Sequence, residues 1–256
     1  MPGYHQFCPV SKGAEIFAER WTPLILRELL CGSHRFSELL RGIPRISPNL
    51  LIQRLRSLER DGVIERRPAR NGHGWEYYLT PAGEELGPVV ELLGGWGYRW
   101  ALGHLSEEDC DPETLMWFVH RQIKIDQLPD RRVVVRFEFS DDPKGRRFWL
   151  ILDRPQVDLC LRDEGFEVDL EVQTDIVTFN RVYLGHLDLR DAIRRRLVLV
   201  EGDSSLARDF PDWIGTSPFV RFGSPETHPG LHARGIRWPA LRHEPGSGTG
   251  AMPGTP

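Results

Sequence analysis

Between residues 47 and 62 the apolar positions Leu51, Leu55 and Leu58 recur at i, i+4 and i+7, the spacing of one buried helical face. Ser47 suits the N-cap, Pro48 suits the first turn because it has no N–H to lose, and Gly62 can take the left-handed conformation that ends a helix. A second face carries Asn49, Gln53, Arg56 and Arg60 at the same spacing, so it presents amides and guanidinium groups and no carboxylate. Upstream, apolar spacing predicts a short helix over 10–18, a largely buried one over 21–30 and a third over 35–41, broken by Gly42, Ile43 and Pro44. A helix, a short glycine-bearing turn and a helix with a basic polar face form a helix-turn-helix pattern. Downstream, 63–67 and 75–79 read as the strands of a hairpin whose tip carries Arg70, Asn71 and His73, with Arg66 and Arg67 just before it. Thr80 and Pro81 then open a helix to about residue 103, whose apolar face (Leu86, Val89, Val90, Leu93, Trp96, Trp100) serves a dimer contact or packs on its own chain.

A polar stretch at 104–112 marks a linker. Beyond it the pattern predicts a helix over 113–125 and strands over 132–140, 148–152, 157–162 and 166–174. Helices follow over 175–183 and 189–195, then a strand over 197–201 and a helix over 204–210. Strands come first and helices gather around one last strand, which makes the chain α+β. The expected organisation is a winged helix-turn-helix domain over 1–104, an α+β domain with a mixed or antiparallel sheet over 113–215, and an irregular extension over 216–256. In that extension Phe219, Val220, Phe222, Ile236 and Trp238 are candidates to dock on the second domain, and the tail from about 244 is expected to be disordered.

Charge sharpens the picture of the first half. The whole chain of 256 residues carries a net charge of −4, yet residues 35–70 hold nine arginines against Glu38, Glu59, Asp61 and Glu65, a local net charge of +5. Screening confines such effects to about 10 Å, so a basic patch is not cancelled by acid elsewhere on the molecule. Arginine pairs two-pronged with guanine, and Asn or Gln with adenine, each good pair discriminating by about 1–3 kcal/mol. Base reading therefore falls to Asn49, Gln53 and Arg56, flanked by Ser47 and Arg60. Phosphate contacts fall to Arg35, Arg66, Arg67 and Arg70, and to Arg54, which sits nearer the core leucines; the hairpin, with Asn71 and His73 at its tip, can contact phosphates or enter the minor groove.

Other chemistry is scarce. Cys8, Cys31, Cys110 and Cys160 are too widely spaced for a zinc site or a disulfide framework, and His228, His232 and His243 lack a metal-ligand pattern. There is no G-x-S-x-G, and the glycines at 94–97 lie in a predicted helix with no Lys-Ser/Thr behind them, so neither a nucleophile elbow nor a phosphate loop is expected. We expect no catalytic activity, no metal and no cofactor. No apolar run has the length of a membrane span and the first residues lack a signal pattern, so a cytoplasmic protein that does not engage a membrane is expected.

Two resemblances add to this. Cys8, Pro9 and Val10, Trp21, residues 35–39, Ile43, Ile46 to Pro48, Leu50, Leu51, Arg54, Leu55, Leu58, Asp61, Gly62 and the segment YYLTPAGEEL resemble the HxlR family of bacterial transcription regulators, relatives of the MarR group, over about 7–102. The resemblance implies a homodimer on a pseudo-palindromic operator in double-stranded DNA, with the first and last helices of the domain forming the subunit contact. It also implies that Cys8 can serve as a thiol sensor, as a cysteine there does in some members. Residues 168–210 (with Thr174, Asp175, Gly185, Leu187, Ala192, residues 196–200, Gly202, Asp203, Leu206 and Ala207) resemble the sterol-carrier-protein-like fold, over about 113–214. That resemblance implies a curved sheet and helices around an apolar tunnel for a hydrophobic small molecule. The expectation is thus a one-component DNA-binding regulator with a ligand-sensing second domain. The rivals are a second domain that only builds the oligomer, or one that is a ligand carrier or enzyme tethered to DNA.

Overall fold

The computed structural model describes residues 3–69, 73–102 and 109–223. Its first half comprises α1 (Pro9–Phe17), α2 (Thr22–Leu30), α3 (Phe36–Gly42), α4 (Pro48–Arg60), the hairpin β1 (Ile64–Pro68) and β2 (Trp75–Leu79), α5 (Pro81–Glu84) and α6 (Gly87–Trp100). Ile25 and Leu26 from α2, Leu39 from α3, Leu51, Leu55 and Leu58 from α4, Ile64 from β1 and Val90 from α6 share one core. Each such side chain contributes about 1.5–3 kcal/mol by leaving water. This is a winged helix-turn-helix.

The single helix expected over 80–103 is instead two. Pro88 has no N–H to bond the carbonyl of Glu84, and its ring crowds that carbonyl, so the chain stops at Glu84 and restarts at Gly87. The break lets Gly83 press against the carbonyl of Val63, where any Cβ would clash.

The second half contains α7 (Pro112–Arg121), β3 (Val133–Phe139), β4 (Arg147–Asp153), β5 (Gln156–Cys160), β6 (Leu170–Thr174), α8 (Ile176–Tyr183), α9 (Leu189–Arg194), β7 (Val198–Gly202) and α10 (Ser204–Trp213). The sheet order is β5-β4-β3-β6-β7. All pairs are antiparallel except β3 with β6, so the sheet is mixed. Alternation sends Val133, Val135, Phe137 and Phe139 of β3, with Phe148, Leu150 and Leu152 of β4, to the face covered by α7, α8 and α10. The opposite face carries cross-strand ion pairs, Arg136–Glu171 at 2.7 Å and Arg147–Glu138 at 3.2 Å. Phe137, Phe148, Phe179, Phe210 and Trp213 fill the space between sheet and helices and are almost fully buried. Among the described residues no helix is long and apolar enough to cross a membrane.

Three expectations for this half need correction. β6 begins at Leu170 rather than 166, because the Asp169 carboxylate accepts from Val134 N (2.8 Å) and occupies the ladder position where an earlier strand residue would pair. α7 ends at Arg121 rather than 125; the chain turns there, and Lys124 N bonds the Trp213 carbonyl at 2.9 Å. Phe219 and Phe222, in a 3₁₀ turn at Pro218–Phe222, lie against Gly94 and Gly95 of α6, so the start of the extension docks on the winged helix rather than only on the second domain. Arg99 donates to the Phe222 carbonyl (2.8 Å) and Arg221 pairs with Glu91 (2.5 Å) to hold it there. Ile236, Trp238 and the tail lie outside the described residues.

Candidate nucleic-acid interface

α4 is capped as its sequence dictates. The Ser47 hydroxyl accepts from Leu50 N at 3.3 Å, Pro48 opens the first turn, and Gly62 follows the helix at φ +72°. With Leu51, Leu55 and Leu58 at 0–2% exposure, the helix is rotationally fixed. Asn49, Gln53, Arg56 and Arg60 are therefore all exposed on the side away from the core, as is Ser47. Among the described residues Arg56 forms no ion pair, and Arg60 is steadied only by the Ser57 hydroxyl at 2.9 Å. Among the described residues no neighbour covers this face and no carboxylate pairs with its guanidinium groups.

Arg54 points elsewhere. It is half-buried and ion-paired with Glu19, in the turn between α1 and α2. Its role in this geometry is to tie α4 to the preceding helices rather than to stand free toward a phosphate.

The wing is built beside this face. β1 and β2 pair from Ile64↔Leu79 to Pro68↔Trp75. A third, short segment joins them: Tyr77 N donates to the His34 carbonyl (2.8 Å), His34 Nδ1 lies 3.0 Å from the Tyr77 carbonyl, and Arg35 bridges to Glu76. Arg35 also reaches the buried Glu76 carboxylate at 3.4 Å, and Tyr78 donates to the same carboxylate at 2.7 Å. The wing is thereby locked to the start of α3. Arg66 and Arg67 are exposed along its edge. Arg66 stacks over Trp75 at 4.2 Å and meets Glu59 at 3.7 Å; Arg67 stacks over Tyr78 at 4.6 Å and pairs with Glu65. At exposed sites such pairs and stacks are each worth about 1 kcal/mol or less, so both guanidinium groups can be redirected toward a polyanion at little cost. His73 is exposed near the tip; Arg70 and Asn71 lie outside the described residues.

The sequence reading missed Trp75 and His34. Trp75 is 48% exposed yet ordered by its arginine, and His34 stacks on Tyr78 with ring centroids 4.3 Å apart. An aromatic opening the second wing strand, with an arginine diagonal to it on the same face of the first, was the available signal. Cys8 is exposed at the N-cap of α1, where its carbonyl accepts from the Ser11 hydroxyl at 2.8 Å. A cleft of about 660 Å³ separates the turn before α4 (Pro44, Arg45) from the second domain, which lines it with Pro112, Pro143, Ile176 and Val177 beside the charged Asp111, Asp141, Lys144 and Arg146.

Comparison with known proteins places this geometry in context. The family described as HxlR-like helix-turn-helix matches residues 16–104. The HTH-type transcriptional regulator YvaP of Bacillus subtilis (strain 168) is 37% identical over 101 residues, which is 37% of this chain and 90% of YvaP. YtfH of Escherichia coli (strain K12), also named an HTH-type transcriptional regulator, is 41% identical over 91 residues, covering 35% of this chain and 71% of its own. Among solved structures, diamide-treated YodB from B. subtilis is similar at 33% identity with a TM-score of 0.31, over 36% of this chain and 94% of YodB. The family match ends at residue 104, before α7 begins.

Proposed function

Because the chain belongs to the HxlR-like helix-turn-helix family of transcription regulators, we propose that it is a one-component, homodimeric regulator that reads a pseudo-palindromic operator with α4 and responds to a small molecule through its second domain. The observation that carries the DNA reading is the exposed, carboxylate-free row of Asn49, Gln53, Arg56 and Arg60 opposite a fully buried leucine face. Ser47 and Asn49 lie at the helix start, where a recognition helix meets base edges, and Arg35, Arg66 and Arg67 flank it as phosphate contacts. Two such helices must lie about 34 Å apart to meet successive major grooves. The dimer assigned here uses α6, where Leu92, Leu93, Trp96 and Trp100 are 45–60% exposed, together with the N-terminal segment, where Phe7 is 99% exposed. Cys8, exposed beside that contact, is the thiol through which oxidant would be sensed.

The sterol-carrier-like resemblance supports a hydrophobic effector, but the space between sheet and helices is occupied by aromatic side chains. The effector is therefore assigned to the cleft between the two domains, as a molecule with an apolar part and a polar or charged group to match its mixed lining; the volume falls within the ~300–1,000 Å³ usual for small-molecule sites. There it touches the turn leading into α4 and the second domain together. A ligand shifts DNA affinity only by as much as it prefers one arrangement of these two over another.

The test is a salt series of anisotropy titrations on duplex DNA. Each phosphate contact adds about 0.9 to the slope of log K against log salt, so the Arg66→Ala, Arg67→Ala double variant is expected to flatten the slope by about two, equally on every sequence. An unchanged slope removes the wing from the interface, and no duplex binding by wild type at low salt removes the function.

A further inference from the structure

One buried carboxylate in the DNA-reading half is held by the other half of the chain. Glu28, in the middle of α2, is 0% exposed. Its Oε1 accepts from Arg27 Nε and Nη2 at 3.1 and 3.0 Å. Its Oε2 accepts from Ser33 at 3.3 Å, and from two residues of α7: Arg121 Nη2 at 2.8 Å and Trp117 Nε1 at 3.2 Å. Burial by itself would raise the pKa of this carboxyl, but Arg27, Arg121 and Trp117 outweigh it and hold the group below its ordinary value, so it is charged at neutral pH.

The same partners reach the helix-turn-helix itself. Arg27 donates to the carbonyl of Gly42, the last residue of α3, at 2.9 Å, and stacks over Phe118 of α7 at 4.8 Å. Gly42 backs onto the Glu28 carboxylate so closely that a Cβ there would overlap it. The Trp117 ring lies 5.1 Å from the Arg41 guanidinium of α3 and 4.5 Å from that of Arg121. His120, beside the same ring, has its pKa lowered to about 4 by burial, so it adds no positive charge to the cluster at neutral pH. α7 is also a core element of the second domain through Leu115, Met116 and Val119. One rigid helix thus belongs to the second domain's core and holds the end of α3 and the middle of α2.

We propose that Arg121 and Trp117 are positioning residues of the DNA reader: the second domain sets the seat of α3 under α4 through the Glu28 carboxylate. The winged helix is then not a self-sufficient module carrying a passenger, and any change that moves α7 in its own core is felt as a change in operator affinity. This rests on the DNA-reading function proposed above, and one readout of its test is independent of DNA.

The test is a double-mutant cycle on the full chain, at a temperature where every variant is folded by circular dichroism. Arg121→Ala is expected to weaken operator binding by fivefold or more, within the range typical of coupled sites, while bulk-DNA binding changes little. Glu28→Gln removes the negative charge that faces Arg121 and is expected to weaken operator binding similarly; the double variant should be no worse than the worse single one. Trp117→Phe, which keeps an aromatic ring but loses the indole N–H and part of the surface on which Arg41 and Arg121 lie, leaves the Arg121–Glu28 pair in place and should give a smaller loss of the same kind. In parallel, hydrogen exchange should show faster exchange at Leu39 and Leu40 of α3 in Arg121→Ala, with β3 and β4 unchanged. Wild-type operator affinity and wild-type α3 protection in both folded α7 variants, or strictly additive losses in the cycle, overturn the proposal. If wild type binds no DNA but α3 still loosens in Arg121→Ala, the seating of α3 by α7 stands and the DNA-reading function fails.

Discussion

Glu28→Ala is expected to destabilise the protein by about 3–5 kcal/mol, the cost typical of breaking a buried ion pair by removing one partner. The substitution removes the shared acceptor of Arg27 and Arg121, whose side chains are only 25% and 13% exposed. Arg121 Nη1 is already buried without a partner among the described residues, so without Glu28 its guanidinium keeps only the Ser33 hydroxyl as an acceptor. The loss is read as a lower urea midpoint at pH 7. Replacing all three charges by apolar groups (Arg27→Met, Glu28→Leu, Arg121→Met) is expected to recover much of the loss, because the desolvation cost leaves with the charges. A wild-type midpoint for Glu28→Ala alone would show that water reaches the carboxylate and that the junction between the domains is looser than described.

Arg56→Ala is expected to have the largest effect on recognition. Its guanidinium is exposed, makes no ion pair among the described residues, and lies one turn beyond Gln53 and two beyond Asn49 on the same face of α4. A bidentate pair to a base discriminates by about 1–3 kcal/mol, so the specific site should lose roughly five- to 150-fold in affinity while bulk DNA loses far less. Arg54→Ala is the contrast. Arg54 is engaged with Glu19 and only 17% exposed, so its loss should lower stability and weaken both DNAs alike. Competition titrations of operator and bulk duplex separate the two; equal losses on both DNAs for Arg56→Ala would deny it a base contact.

The sequence was most informative where structure is local. Leu51, Leu55 and Leu58 share a helical face, and that fact alone decides where Asn49, Gln53 and Arg56 point. Ser47, Pro48 and Gly62 fix the ends of the same helix by chemistry that needs no distant partner. The hairpin and the strands of the sheet followed from alternation in the same way, and the α+β class from their order, while the choice between a mixed and an antiparallel sheet turned on the distant pairing of β3 with β6. What could not be read was partnership across the chain. Arg54 and Glu19 are 35 positions apart, and nothing periodic links Glu28 to Arg121, 93 positions later. A single acid within the apolar run of α2 was the only sign that something would come to meet it. Pro88 was a visible helix breaker, but the apolar face continuing on both sides of it made one long helix the simpler reading. Phe219 and Phe222 were expected to dock; that they would choose Gly94 and Gly95 of α6 depended on a surface which exists only once both domains are folded.

Selection from a library of random duplex DNA, performed with the full chain and with the Asn49→Ala, Gln53→Ala, Arg56→Ala triple variant, tests the central claim most directly. Wild type is expected to enrich two inverted half-sites whose centres lie about one helical turn apart, and the triple variant to bind duplex but lose the motif. Enrichment of no sequence by wild type, or of the same motif by the triple variant, would contradict that claim.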